Sequence, residues 1–260
     1  MEITQFEKYA SFYDMLYQHK DYKGEAAYIE EIINQFVNKN REHTQVLDLA
    51  CGTGKHIFEL YQQGYQVTGS DISTQMIEVA REKALLNNFE ISFYNHSFQE
   101  ADKIEGNYDC VISMFSAVDY LTNYRDQVKA FTNIYNLLAD DGVFIFDFWN
   151  GNTVVKEYSP VKVLRKSNGD QEIMRISETK INTLNQDVWV KFTCFLFENN
   201  LKSLEFTETH HLHYYYLPEI ENLLTQCGFT IEHKCPFLKL QENITDADWN
   251  ISIVARKNKK

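Results

Sequence analysis

The sequence predicts an α/β fold: a doubly wound, mostly parallel sheet carrying an inserted antiparallel sheet, with a helical cap at the N-terminus. Three observations lead there. Between residues 45 and 149, short apolar strand-like runs alternate five times with segments of helical periodicity, the pattern of a parallel sheet covered on both faces. From Val161 to Tyr216 the alternation gives way to long segments of period-two patterning separated by turn residues. After Pro218 one more helix and a pair of strands return.

The elements follow in order. The first 25 residues are rich in Tyr, and Tyr9, Tyr13 and Tyr17 recur at i, i+4 spacing, which fits one face of a helix. In AAYIEEIINQFV, apolar residues at 29, 32, 33 and 36 form a helix stripe. QVLDLA reads as the first strand, a glycine turn follows, and the helix HIFELYQQ is closed by Gly64. YQVTGSD (65–71) is the second strand. Ser73 is placed to cap a helix over 74–86 that sets Met76, Ile77, Ala80 and Ala84 on one side. ISFYN (91–95) and YDCVISMF (108–115) are the third and fourth strands. A helix over 124–138 aligns Val128, Phe131, Ile134 and Leu138, and VFIFDFW (143–149) is the fifth strand. The insertion reads as EIMRISET, VWVKFTCFLF and SLEFTETHHLHYYY, whose aromatics are expected in the core of the sheet. Turns are signalled at Asn168-Gly169-Asp170, at 182–185 and at Asn199-Asn200. PEIENLLTQ, ended by Gly228, is the last helix, and FTIEHKC and NISIVAR close the chain as paired strands. The division expected is an N-terminal cap over 1–25, an α/β domain over 26–157 and 217–260, and the insertion over 158–216.

Bulk properties exclude several functions. With 44% hydrophobic and 24% charged residues the chain has an ordinary globular composition. A net charge of −12 makes it a poor general binder of nucleic acid or anionic membrane. The start shows no basic segment leading into an apolar one, and no run is long enough to span a bilayer. The five cysteines at 51, 110, 194, 227 and 235 lack CxxC spacing, which argues against a disulfide framework or a cysteine zinc site. A cytoplasmic location is expected.

The glycine turn VLDLACGTGKH (46–56) is the most informative stretch. Gly52 and Gly54 permit close backbone approach and positive φ, yet two glycines alone are compatible with a plain tight turn. Asp48, inside the preceding buried strand, needs a cationic or hydrogen-donating partner. Asp71, 23 residues on at the end of the second strand, is placed to accept both hydroxyls of a ribose. Ile57 breaks the dinucleotide pattern G-x-G-x-x-G, and Gly54-Lys55-His56 breaks the P-loop pattern. The turn therefore calls for a ribose and a cationic or neutral group rather than a pyrophosphate.

With these residues in place the chain resembles the class I S-adenosylmethionine-dependent methyltransferases, on VLDLACGTG, an acidic residue after the second strand, and Met-Phe at the end of the fourth. The resemblance implies a Rossmann-like fold, S-adenosyl-L-methionine as cofactor, and roles for this chain's residues. Asp48, Ala50, Gly52 and Gly54 would hold the methionine part and Asp71 the ribose. Ile72 and Met76 would flank the adenine, with Ser97 standing where many members carry an acidic residue and Phe98 covering the ring. Tyr22 and Met114 complete the cofactor set. Ala50 stands where many members have Gly.

FYDMLYQHKDYKGEAAYI, VLDLACGTGKH and MFSAVDYL together are similar to the N,N-dimethyltransferases of deoxyaminosugar biosynthesis, of the desosamine and mycaminose type. That resemblance implies a nucleotide-linked aminosugar as small-molecule substrate, an antiparallel insertion after the fifth strand, and Tyr13, Tyr17 and Tyr120 as substrate-positioning residues. The acidic ENITDADWN (242–250) replaces that group's Gly-rich basic segment, and FDFWNG (146–151) replaces its Pro-Trp pair. Arg165, Lys166 and Arg175 could meet a phosphate, but read as charges on a solvated sheet.

Methyl transfer from a sulfonium is a direct displacement, so alignment of atoms about 3–3.5 Å apart does most of the work. Tyr, with a reference pKa of about 10, orients better than it removes protons. His210, His211 and His213 alternate across a strand, His210 opposite the other two, and read as ordinary strand residues rather than a metal site. Cys51 has no partner His at usable spacing and reads as a packing residue. An oxygen-directed methyltransferase and a non-catalytic S-adenosylmethionine binder remain alternatives. A nucleic-acid methyltransferase is disfavoured by charge and by the missing Asn-Pro-Pro-Tyr type motif. A homodimer is a candidate assembly.

Overall fold

The computed structural model describes residues 10–258 of the 260. Tyr9 of the tyrosine series lies outside the described residues.

A short helix, α1 (Ala10–Leu16), precedes α2 (Tyr22–Phe36). Asp21 starts α2 by accepting a hydrogen bond from the Gly24 N–H at 2.9 Å, and the predicted stripe buries Ile29, Ile32 and Ile33. The α/β unit then runs β1 (Gln45–Leu49), α3 (Lys55–Gln62), β2 (Gln66–Ser70), α4 (Thr74–Leu86), β3 (Ser92–Tyr94), β4 (Tyr108–Ser113), α5 (Tyr124–Leu137) and β5 (Leu138–Trp149). Ser73 caps α4, its Oγ accepting from the Met76 N–H at 3.2 Å. α5 stops one residue before the predicted end, because Leu138 is extended and already opens β5.

After β5 comes α6 (Gly151–Glu157), which periodicity did not signal because seven residues carry too few turns to show a stripe. The insertion follows as β6 (Val161–Asn168), β7 (Gln171–Asn182), β8 (Asp187–Glu198) and β9 (Leu201–His213). α7 (Leu217–Gln226), β10 (Phe229–Pro236) and β11 (Asn250–Lys257) complete the chain.

Seven strands form one sheet in the order β10-β11-β5-β4-β1-β2-β3, in which β11 is antiparallel to both its neighbours and the other pairings are parallel. Both faces are covered. Phe144, Phe146 and Phe148 of β5 pack with Phe131 of α5 and Leu223 of α7, while Val143 and Ile145 pack with Ile29 of α2 and Leu60 of α3. Double-sided burial explains why these strands read as nearly continuous apolar runs. Strand order reverses between β1 and β4, which leaves a crevice outside their carboxyl ends.

The insertion is a four-stranded antiparallel sheet in the order β6-β7-β8-β9. It has one strand more than the three expected; β6 forms the exposed edge. Asn199 and Asn200 both take positive φ (50° and 64°) in the two-residue β8–β9 turn, which Asn tolerates better than most residues. The inner face of the sheet meets the α/β unit through Ile173, Cys194 and Phe206, which pack with Leu16 of α1 and Met76 of α4. The insertion thus roofs the crevice, and α1 closes one side.

Candidate functional site

Under that roof lies one cavity of about 770 Å³, within the range usual for small-molecule sites. Its wall contains the residues singled out from the sequence, with the exception of Gly54.

The glycine turn supplies the floor. Ala50, Gly52 and Gly54 all have positive φ, at 65°, 55° and 83°. The space a Gly52 Cβ would take is open, with no heavy atom within 4 Å, so the backbone there faces the cavity bare. Gly54 differs. Its Cβ would come within 2.8 Å of the Phe58 ring, and its left-handed conformation starts α3, so it shapes the turn from behind the wall. Ala50 holds a conformation that Gly adopts more cheaply, a physical reason for the glycine common at this place in the resembling family.

Two carboxylates flank the turn. Asp71 clamps it: Oδ2 accepts from the Gly52 N–H and Oδ1 from the Ser73 N–H, both at 2.8 Å. Burial raises the Asp71 carboxyl, and these two N–H donors partly oppose the rise. Each oxygen keeps accepting capacity, since a carboxylate offers about four lone-pair sites. Asp48 is 2% exposed, and its Oδ2 is buried with no hydrogen-bond partner. Burial pushes its carboxyl well above the usual range, and the nearby Asp71 charge adds to the rise. Such a group costs free energy until a donor reaches it.

The rest of this half is apolar. Ile72 is 67% exposed at the rim. Phe98 and Met114 are buried in the wall. Met76 also belongs to the wall, but it is 2% exposed and packs into the cluster under the insertion. Ser97 donates to Glu100 Oε2 at 3.2 Å. Tyr22 sits edge-on to His56 at 5.2 Å between centroids, and burial raises its phenol.

Across the cavity stand the tyrosines and the insertion. The α1 segment is tied to the turn by Asp14, which accepts from Thr53 Oγ1 at 2.8 Å and pairs with Lys83 and, at 3.4 Å, with Lys55. Tyr13 and Tyr17 lie side by side with centroids 4.7 Å apart. Tyr120 ends a single 3₁₀ turn (Ala117–Tyr120) after β4.

Two readings of the insertion need correction. Arg175 does not sit on a solvated face: it lines the cavity, donates to the Tyr17 hydroxyl at 3.0 Å and lies 4.4 Å over the Phe192 ring. Arg165 does match the solvated reading, paired with Glu172 at 2.7 Å. His210 is not an ordinary strand residue: it is 1% exposed, lines the cavity, and its Nδ1 is 2.9 Å from the Tyr120 hydroxyl. His211 also lines the cavity, stacking on Trp189 at 4.7 Å and pairing with Asp187 at 2.8 Å. The signal available in the sequence was Phe206-x-Glu208-x-His210-x-Leu212, a set that period two puts on one face of β9. Among the described residues no group of three or more His, Cys, Asp or Glu side chains could hold a metal ion. No helix among them is long and apolar enough to cross a membrane.

Residues 46–142 match the family description of a methyltransferase domain. The chain is similar to a putative methyltransferase of Geobacillus sp. (strain WCH70), 27% identical over 226 residues, covering 87% of this chain and 89% of that one. It is also similar to the dTDP-3-amino-3,4,6-trideoxy-alpha-D-glucopyranose N,N-dimethyltransferase of Streptomyces venezuelae, 23% identical over 231 residues, covering 86% and 91%. Among solved structures, an S-adenosylmethionine-dependent methyltransferase from Clostridium acetobutylicum ATCC 824 superposes with a TM-score of 0.83 at 20% identity, covering 98% of this chain and 99% of that one. Residues 46–142 are thus a methyltransferase domain within a Rossmann-like methyltransferase fold, and with relatives named as methyltransferases along most of its length the chain is an S-adenosylmethionine-dependent methyltransferase enzyme.

Proposed function

We propose that the enzyme methylates the amino group of a small, nucleotide-linked aminosugar. The observation that carries this reading is the roofed cavity. One continuous space joins the glycine turn to a chamber lined by Tyr17, Tyr120 and Phe192, closed by the insertion and α1, which suits a small acceptor and excludes a duplex or a folded protein. The similarity to the Streptomyces venezuelae dimethyltransferase adds the class of acceptor. Trp149 and Trp249 pack edge to face at 5.7 Å in the same wall, with the Lys162 ammonium 5.4 Å over the Trp249 ring. Flat aromatic faces beside a cation are what a nucleobase and its phosphates would meet.

The residues on the other side fit S-adenosylmethionine. The partnerless Asp48 oxygen would receive the methionine ammonium, and the bare backbone at Gly52 would admit the chain beside it. Asp71 would accept from the ribose hydroxyls with its remaining lone pairs, and Ile72 and Phe98 would enclose the adenine. Bound there, the cofactor supplies an electrophilic methyl group on sulfur. The protein's own task is to exclude water and hold the acceptor nitrogen in line. Tyr13, Tyr17 and Tyr120 serve that positioning, with Tyr17 itself held by Arg175. In the same reading the cap expected over 1–25, of which residues 10–25 are described, closes the acceptor side, and 158–216 form the roof on the α/β body, expected over 26–157 and 217–260 and described to residue 258.

The test is incubation with S-adenosylmethionine and a panel of nucleotide-linked aminosugars, each beside its hydroxyl counterpart. Gains of one or two methyl groups on the amines are expected. Gain on hydroxyls with none on any amine would replace the reading with an oxygen-directed enzyme.

A further inference from the structure

We propose that Tyr120, His210 and Glu208 form a proton relay that carries away the proton the acceptor must lose for methyl transfer. The proposal rests on the reading that the acceptor binds beside Tyr120.

The three side chains converge from two elements that the sequence keeps far apart. Tyr120 ends the turn after β4, and His210 and Glu208 lie on β9 two residues apart, hence on one face. The Tyr120 hydroxyl is 2.9 Å from His210 Nδ1, and His210 Nε2 is 3.6 Å from Glu208 Oε2. His210 is 1% and Glu208 6% exposed, and Phe192 packs against the imidazole with centroids 4.6 Å apart. Tyr120 and His210 both line the cavity. The ionisable groups around them are Tyr17 just after α1, Asp119 from Tyr120's own turn, Asp71 from the far side of the cavity, Arg175 from β7 across the Phe192 ring, and Glu208.

This arrangement selects a tautomer. The Glu208 carboxylate, at 3.6 Å beyond hydrogen-bond distance but the charge facing Nε2, favours the proton there; Nδ1 is then the acceptor and Tyr120 the donor of the 2.9 Å bond. The Tyr120 oxygen then keeps lone pairs to accept from the acceptor's N–H. In the transfer the acceptor N–H bond breaks and its electron pair stays on nitrogen. The proton joins the Tyr120 oxygen as the original phenolic proton moves to Nδ1. Tyr120 ends neutral, and the positive charge ends on the imidazolium, facing Glu208. Burial raises the Tyr120 phenol, so a standing phenolate is disfavoured; a tyrosine that gains and loses a proton in one step avoids it. An imidazole hydrogen-bonded behind it gives the phenolic proton somewhere to go, which a phenol alone does not.

A buried, satisfied Tyr–His pair with only a packing role is the competing account, and two measurements separate them. The first needs no acceptor. ¹⁵N-resolved NMR of the histidine rings should show His210 as the Nε2–H tautomer, the form that leaves Nδ1 to accept from Tyr120. An Nδ1–H tautomer overturns the relay whatever the acceptor is. The second uses a nucleotide-linked 3-aminosugar at saturating S-adenosylmethionine. His210→Gln should lower kcat by about 10²-fold and remove the acidic limb of the kcat–pH profile, with KM within about threefold, because the relay acts in the chemical step. Tyr120→Phe should do the same to the profile. A raised KM with kcat and its pH profile intact assigns the pair to packing. Failure of every aminosugar to be methylated defeats the acceptor assignment while the NMR result still decides the relay.

Discussion

Replacing Asp48 by Asn should move stability and cofactor affinity in opposite directions. The wild-type carboxyl is buried and partnerless on Oδ2, with its pKa well above the usual range from burial and then from Asp71. A carboxyl whose folded value exceeds its unfolded value subtracts stability above the unfolded value, about pH 4, and the subtraction grows until pH reaches the folded value. The ceiling is the cost of keeping an ordinary carboxylic acid protonated at pH 7, about three pH units at about 1.4 kcal/mol each, or about 4 kcal/mol. Asn carries no proton linkage but still buries an amide, so a gain of about 1–3 kcal/mol is expected at neutral pH. For a chain of this size that is a rise in Tm of about 2–10 °C. The gain should vanish as pH falls toward about 4. Affinity goes the other way: losing a charge-assisted bond to an ammonium costs about 1.5–3 kcal/mol, or roughly 10–150-fold in Kd. The pH dependence has a definite sign. A bound cation lowers the Asp48 carboxyl, so binding releases protons and the wild-type Kd falls as pH rises; the variant's Kd should lack this component. Calorimetry in two buffers of different ionisation enthalpy, with thermal melts from pH 4 to pH 8, reads each quantity. A variant that melts lower and still binds S-adenosylmethionine within threefold of wild type would refute the assignment of Asp48.

Two further outcomes follow from backbone and surface. Ala50→Gly should raise Tm by about 1–3 °C and leave the Kd for S-adenosylmethionine unchanged, because a left-handed alanine costs about 1–2 kcal/mol and the extra chain entropy of glycine returns about 0.5–1; a lower Tm would remove the strain argument. Asp14→Ala should cost less than about 1 kcal/mol of stability, since its side chain is 34% exposed and solvent screens its lysine pairs. Its effect belongs in a severalfold higher KM for the acceptor, as α1 loses its tie to Thr53; steady-state kinetics that show only a lower kcat would contradict that.

The donor half of the site was legible because it is written in contiguous residues. Asp48, Gly52 and Gly54 sit within one strand–turn–helix passage, Asp71 follows one strand later, and the backbone conformations they require are local properties. Even there the sequence overstated Gly54, since pattern alone does not say whether a glycine faces a ligand or a phenylalanine behind the wall. The acceptor half is assembled from α1, the turn at 117–120 and the strands β7 to β9. Alternation set His210 apart from His211 and His213, but which face of an antiparallel strand turns inward depends on what covers it, and His210 and His211 both line the cavity. Arg175 was misplaced for the same reason. β6 escaped separate notice because an exposed edge strand carries little apolar signal: Val161, Val163 and Arg165 are all exposed.

The two halves also differ in what each leaves for a ligand to complete. On the donor side the protein tolerates an alanine at positive φ and a carboxylate oxygen without a partner, features that persist in natural chains chiefly where function uses them. Across the cavity Arg175 is bonded to Tyr17 and Tyr120 to His210. The joint between them is strained as well. Phe115 and Ser116, directly after β4, both take positive φ, at 66° and 56°. Asp147 at the end of β5 holds the bend: its Oδ2 accepts from the Ser116 N–H at 3.1 Å, the Ser116 hydroxyl at 2.9 Å and the Asn250 side-chain amide at 2.6 Å. The bend turns the chain from Met114 to Tyr120, both of which line the cavity. A relaxed loop could join those residues, but it would let the distance between the methyl-bearing site and the acceptor drift. On the proposed placement of donor and acceptor, in-line displacement depends on that distance, and the bend at 115–116 would be what fixes it.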